Sequence, residues 1–298
     1  VQMVARFKVA PKTSTLAIHQ PGNPNIMVLR LAAATFLAAV SVPAIAQTAP
    51  AIDAANLTRT VRTLASDQFQ GRAPGTIGEE RTVGYLIGRL QALGLEPAGV
   101  DGGWTQPVPL LRTRVGTATR LAFDRKGAAT PLTLGTDIYV STLQPKDQAV
   151  VENAPMVFVG YGVTAPERGW DDFKGQDLKG KVAVILINDP DFVAAQGEDA
   201  FGKFGGRTMT YYGRWTYKFE EAARRGAVAA LIVHDTDGVG YGWNVVRSPG
   251  GENYGLVVPP EKVTSLALQG WISGETASNL FAHAGQDLAK LRVAARRK

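Results

Sequence analysis

Lys181-Val182-Ala183-Val184-Ile185-Leu186-Ile187 is a run in which only the first residue is polar. A continuous apolar run of this length, rich in β-branched side chains, marks a strand buried on both faces. Asp177-Leu178-Lys179-Gly180 turns the chain into it, and Asn188-Asp189-Pro190 ends it. Working outward, Trp215 to Arg225 reads as a helix stopped by Gly226, and Val228 to Val233 as a second buried strand. Met156 to Gly160 is a short apolar strand upstream. Pro107 to Leu134 alternates weakly, with turn residues between short runs. Thr276 to Phe281 and Asp287 to Leu291 read as two short helical pieces. This order, mostly strands with a few helices, specifies an α/β fold, and it contains no internal repeat.

Residues 50–100 have a different texture. Ile52 to Ala65 carries apolar residues at 57, 61 and 64, the spacing of a short amphipathic helix. Gly71-Arg72-Ala73-Pro74-Gly75-Thr76 follows as a structured turn. Thr76 and Glu79 have the spacing of a capping box. Val83, Leu86, Ile87, Leu90 and Leu93 then form a helical stripe, which Gly94 ends and Pro97 keeps from resuming. A glycine-rich loop that opens a helix can cradle a phosphate. There is no G-K-[ST] here, so the turn reads as one that docks a surface helix on a sheet.

The chain has 298 residues, a formal charge of +6, 45% hydrophobic residues and no cysteine. At roughly 150 residues per domain this is about two domains. The lack of cysteine excludes a disulfide scaffold, a thiolate metal site and a cysteine nucleophile. His19, His234 and His283 are the three histidines. Arg30, the apolar run Leu31 to Val42 and Ala44-Ile45-Ala46 have the form of a signal peptide cut after Ala46. Residues 1–26 precede that signal and read as a misassigned extension, with Met27 the start. The expected organisation is therefore an extension at 1–26, a signal peptide at 27–46, a first structural part at 47–135 and a second at 136–295. An exported protein, periplasmic or secreted, follows.

The charge loses its meaning as a binding surface once it is located. Arg6, Lys8, Lys12 and Arg30 lie before the cut, which leaves +2 of the original +6. Arg292, Arg296, Arg297 and Lys298 supply +4 at the end, so the remainder stands at −2. No nucleic-acid partner is expected, and no membrane partner after signal cleavage.

Three motifs invite a chemical reading. Val159-Gly160-Tyr161-Gly162-Val163-Thr164-Ala165 contains G-x-G-x-x-A after a strand, but Pro166 follows and the helix that a dinucleotide site needs is not predicted. His234-Asp235-Thr236-Asp237 offers a histidine and two carboxylates at a strand end. Catalytic zinc needs three protein ligands, so Asp235 and Asp237 read as caps of the next turn. Glu220 and Glu221 stand four residues before Arg224 and Arg225, which reads as two exposed ion pairs on a solvated face. G-x-S-x-G is absent, so a serine-hydrolase elbow is unsupported.

Several strings, in order, resemble the exported di-zinc aminopeptidases related to glutamate carboxypeptidase and the transferrin receptor. Leu64-Ala65-Ser66-Asp67, Gly71 to Thr76, Gly78-Glu79-Glu80, Tyr85-Leu86 and Leu93 to Pro97 resemble the start of such a peptidase domain. Phe158 to Val163, Ala165-Pro166-Glu167, Trp170-Asp171-Asp172-Phe173, Asp177 to Val182, Asn188-Asp189-Pro190 and Lys218 to Val233 resemble its inserted protease-associated (PA) domain. The resemblance implies a helical start of a zinc-peptidase α/β domain over 47–135, then a mostly β PA domain with a few helices over 136–295. It implies peptide hydrolysis by two zinc ions in the full-length family member, with a peptide or protein substrate. The family's ligands follow the PA domain, His234-Asp235-Thr236 is not His-x-Asp, and Glu220-Glu221 lies before any such histidine. No catalytic, cofactor-binding or metal residue carries over to this chain. The expectation is the N-terminal portion of such an enzyme, inactive alone, with the Val83 to Leu93 stripe partly exposed. The alternative is a complete, non-catalytic PA-type module that binds protein or peptide, and a third reading is a nucleotide site at Gly160 and Gly162.

Overall fold

Val182–Leu186, the centre of the apolar run, is a strand with every residue buried, and so is Ala229–Val233. The computed structural model describes residues 2–8, 52–263 and 266–297. The signal segment 27–46 and its cleavage site lie outside the described residues. Among the described residues no helix is long and apolar enough to cross a membrane.

The described chain divides into two units, residues 52–107 in one and residues 108–297 with Gln2–Lys8 in the other. In chain order the strands are β1 (Gln2–Lys8), β2 (Leu110–Arg114), β3 (Arg120–Arg125), β4 (Ala128–Pro131), β5 (Ile138–Ser141) and β6 (Gln148–Phe158). They continue with β7 (Thr164–Ala165), β8 (Trp170–Asp171), β9 (Val182–Leu186), β10 (Ala229–Val233), β11 (Glu252–Leu256) and β12 (Leu268–Ile272). The helices are α1 (Ala54–Leu64), α2 (Ile77–Ala92), α3 (Trp215–Arg224), α4 (Thr236–Val239), α5 (Trp243–Val246), α6 (Gly274–His283) and α7 (Leu288–Ala294).

The larger unit is built on one mixed sheet in the order β4-β3-β1-β6-β9-β10-β12-β5. Its centre, β6-β9-β10-β12, is parallel, and its flanks are antiparallel. This is an α/β fold. Successive residues of a strand face opposite sides, and the core divides accordingly. Val182, Val184 and Leu186 pack with Leu280, Phe281 and Leu288 from α6 and α7. Ala183 and Ile185 pack with Phe219 and Ala222 from α3. Each fully buried Val, Leu or Ile contributes about 1.5–3 kcal/mol, which is why β9 and β10 need no polar residue to hold them.

The boundary expected at 135/136 falls instead between Pro107 and Val108. The reason is pairing: β3 hydrogen-bonds β4 and β1 in the large sheet, and β2 pairs with β11. Gln2–Lys8, within the stretch read as an upstream extension, lies as β1 between β3 and β6.

In the smaller unit α2 runs as its stripe predicts. Its C-terminus is a Schellman close, with Gly94 at φ +76° and N–H bonds from Gly94 to Gln91 O (2.9 Å) and from Leu95 to Leu90 O (3.2 Å). The capping box expected at Thr76 and Glu79 does not form. Glu79 Oε2 accepts from Gly75 N at 2.6 Å, while the Thr76 hydroxyl donates to Ala73 O rather than capping. Phe69, the buried residue of the preceding turn, meets Tyr85 edge-on at 5.9 Å. Leu86, Leu90 and Leu93 are exposed.

Candidate functional site

The motif residues gather at one place, the carboxyl ends of the parallel strands. Val159 to Gly162 leaves β6, Asn188-Asp189 leaves β9, and His234-Asp235 leaves β10. In open α/β sheets this edge is where ligands bind, so each group there needs its own account.

Gly160 and Gly162 both adopt left-handed conformations, at φ +57° and +61°. A Cβ on Gly162 would stand 2.9 Å from Ile185 Cγ2, and one on Gly160 would stand 3.3 Å from Ala295 Cβ. These glycines let the chain turn against β9 and the C-terminal helix. The segment then enters β7 and a 3₁₀ turn at Pro166–Arg168, not the α-helix that would aim its N-terminus at a pyrophosphate.

Lys218 on α3 is wholly buried. Its ammonium donates to Tyr161 O at 2.6 Å and to Asn188 O at 2.9 Å, tying the ends of β6 and β9 together. Burial lowers its pKa from 10.5 to about 7, against the opposing pull of Asp172 and Asp189. Burial likewise raises the Asp172 carboxyl to about 7, although it accepts from Val163 N (2.9 Å) and Trp170 Nε1 (2.9 Å) and lies in the field of Lys218. Asp189, fully buried, is also raised by burial and accepts from Thr210 N and Oγ1. The result is one buried cation serving two carboxylates drawn from separate loops.

Glu221 corrects the solvated-face reading. It is buried and pairs with both arginines, Arg225 Nε at 2.8 Å and Arg224 Nη2 at 2.6 Å. Burial raises its carboxyl, but the hydrogen bonds from Arg225 and Arg224 outweigh that and hold it below the ordinary value. Arg225 also stacks on Phe173 (3.8 Å) and donates to Thr164 Oγ1 (2.7 Å), fixing the β7–β8 hairpin to α3. Glu220 is exposed, and its Oε2 accepts from the Tyr211 hydroxyl at 3.3 Å.

His234 is buried beside the rings of Tyr241, Trp243 and Trp271, with Nε2 3.1 Å from Tyr241 O. Burial lowers its pKa, against the Tyr241 carbonyl and Asp235. Asp235 caps α4 by accepting from Asp237 N and Gly238 N, and it pairs with Arg292 Nη1 at 2.6 Å. Asp237 lies in the first turn of α4 and is not the cap. His283 ends α6 and lines a small cavity that does not include His234. Among the described residues no three His, Cys, Asp or Glu side chains group where they could hold a metal ion. His234 and Asp235 do not fit zinc, because one is spent on a backbone carbonyl and rings and the other on a cap and an arginine.

Lys218 was not singled out by sequence reasoning. The signal was its place one turn before Ala222 and Glu221, on the face that α3 buries. No protein-family model matches the chain, and no curated protein matches it. Among solved structures it is similar to an aminopeptidase from Aneurinibacillus sp. strain AM-1, with 20% identity and a TM-score of 0.30, over 79% of this chain and 42% of that one. The chain thus spans less than half the length of that enzyme.

Proposed function

We propose that this chain is the N-terminal portion of an exported zinc-dependent aminopeptidase, with residues 108–297 as its PA-type unit and the peptide-hydrolysing part supplied by sequence beyond Lys298. One observation supports this reading above the others. The strings that resemble the PA domain are mutually dependent: Lys218 holds the carbonyls of Tyr161 and Asn188, and Asp172 holds Val163 and Trp170. Residues scattered from 161 to 218 therefore specify one joint, as a shared domain would require. Two zinc ions in the whole enzyme would polarise the peptide carbonyl and activate water. The residues described here offer no ligand set for them, so no catalytic step is assigned to this chain. Its role in the reading is to hold or orient peptide substrate.

The test is hydrolysis of an aminoacyl chromogenic substrate by the purified chain in excess zinc. The reading expects no chelator-sensitive turnover. Clear zinc-dependent turnover by residues 1–298 alone would overturn it.

A further inference from the structure

A cavity of about 400 Å³ opens on the face of the sheet that carries α3, and of the motif residues above only Glu220 lines it. Its walls are aromatic: Tyr139 on β5 and Trp271 on β12 form the floor, and Trp215 and Phe219 on α3 form one side. Tyr241 and Tyr254 also line the cavity. The floor is fixed, since Trp271 is 7% exposed and the Tyr139 hydroxyl accepts from Asn253 Nδ2 at 2.9 Å. The rim is not covered: Trp215 is 45% exposed and Tyr254 37%. A volume of this size, mostly apolar with a few polar groups, is that of a small-ligand pocket.

Its charge is one-sided. Glu220 supplies a carboxylate at the rim, and no lysine or arginine is among the lining residues. Of the cations on and beside α3, Lys218 is buried on the carbonyls of Tyr161 and Asn188, Arg224 and Arg225 are engaged by Glu221, and Arg214, the residue before Trp215, is exposed and is not among the lining residues. Ring faces attract a cation, most strongly when it is partly desolvated. A carboxylate beside several rings, with no base, selects a ligand with an apolar body and a positive head.

We propose that this pocket binds a primary ammonium carried on an apolar or aromatic group, of the kind presented by the free N-terminus of a hydrophobic peptide. The rings take the apolar body, and Glu220 with the Trp215 face takes the ammonium. The inference stands on the cavity and does not rest on the aminopeptidase reading.

The probes are L-phenylalanine amide and its N-acetyl derivative, titrated into the full chain by calorimetry and tryptophan fluorescence. The amide should bind saturably, and acetylation, which removes the charge and keeps the ring, should weaken binding about tenfold or more. Glu220→Gln should weaken the amide about fivefold and leave the acetyl derivative unchanged, and Trp215→Ala should weaken both. Trp215 is the first residue of α3 and 45% exposed, so its variant should melt close to the parent. A thermal melt checks this. Equal binding of the two probes, no effect of Glu220→Gln, or no saturable binding of the amide overturns the proposal.

Discussion

Replacing Lys218 by methionine tests the joint at the strand ends. Methionine keeps an unbranched apolar stem, one atom shorter and with sulfur in place of Cδ, and removes the ammonium. Two buried carbonyls, Tyr161 O and Asn188 O, lose their donor, at about 1–3 kcal/mol each for an unsatisfied buried acceptor. Asp172 and Asp189 lose the cation whose field offsets their burial. Against this stands the relief of no longer burying an ammonium, so the net expectation is the loss of about 3–5 kcal/mol typical of breaking one side of a buried charge pair. Asp172→Asn in the Lys218→Met background removes the stranded carboxylate, and the double variant should be less destabilised than the sum of the singles by about 1–2 kcal/mol. Urea denaturation followed by tryptophan fluorescence measures all three. The pH dependence has a definite sign. Folding lowers the Lys218 pKa from 10.5 to about 7, so between those values the unfolded chain binds more protons and stability rises with pH. Lys218→Met should lose that rise. A cost under about 1 kcal/mol together with strict additivity would refute the reasoning.

The remaining expectations are smaller. Gly162→Ala places a Cβ 2.9 Å from Ile185 Cγ2 at a φ of +61°, and should cost about 2 kcal/mol or more from left-handed strain and crowding, read as a lower urea midpoint. Glu221→Gln should cost about 1–3 kcal/mol at neutral pH. Because folding lowers the Glu221 pKa, its contribution is complete above the unfolded value near 4.5 and is lost as pH falls through the folded value. The gap between parent and variant in urea titrations should therefore close on acidification, and a gap that widens towards pH 3 would contradict the pairing with Arg224 and Arg225.

Elements whose stability is set within one segment were legible in the sequence. The apolar runs become β9 and β10, Trp215 to Arg225 becomes α3, and Gly94 closes α2 as its position predicts. Asp235 as a cap was equally local. What periodicity could not supply was partners from elsewhere. Glu221 was read with its helical neighbours as exposed, yet the packing of Arg225 against Phe173 and Thr164 carries that face inward. Lys218 looks like any surface lysine until the carbonyls of Tyr161 and Asn188 are brought over it. The boundary at Val108 depended on β2 pairing with β11 and β3 with β1, partners remote in sequence. The aromatic pocket was invisible for the same reason, since its walls come from β5, α3, β12 and the segments around Tyr241 and Tyr254.

The most direct test of the central claim is to read the coding sequence beyond codon 298, express the extended chain, and compare its zinc-dependent aminopeptidase activity with that of residues 1–298. The account predicts a His-x-Asp and a Glu-Glu downstream, chelator-sensitive hydrolysis by the extended chain, and none by the shorter one. An extension without those ligands, or hydrolysis by the shorter chain, would contradict it.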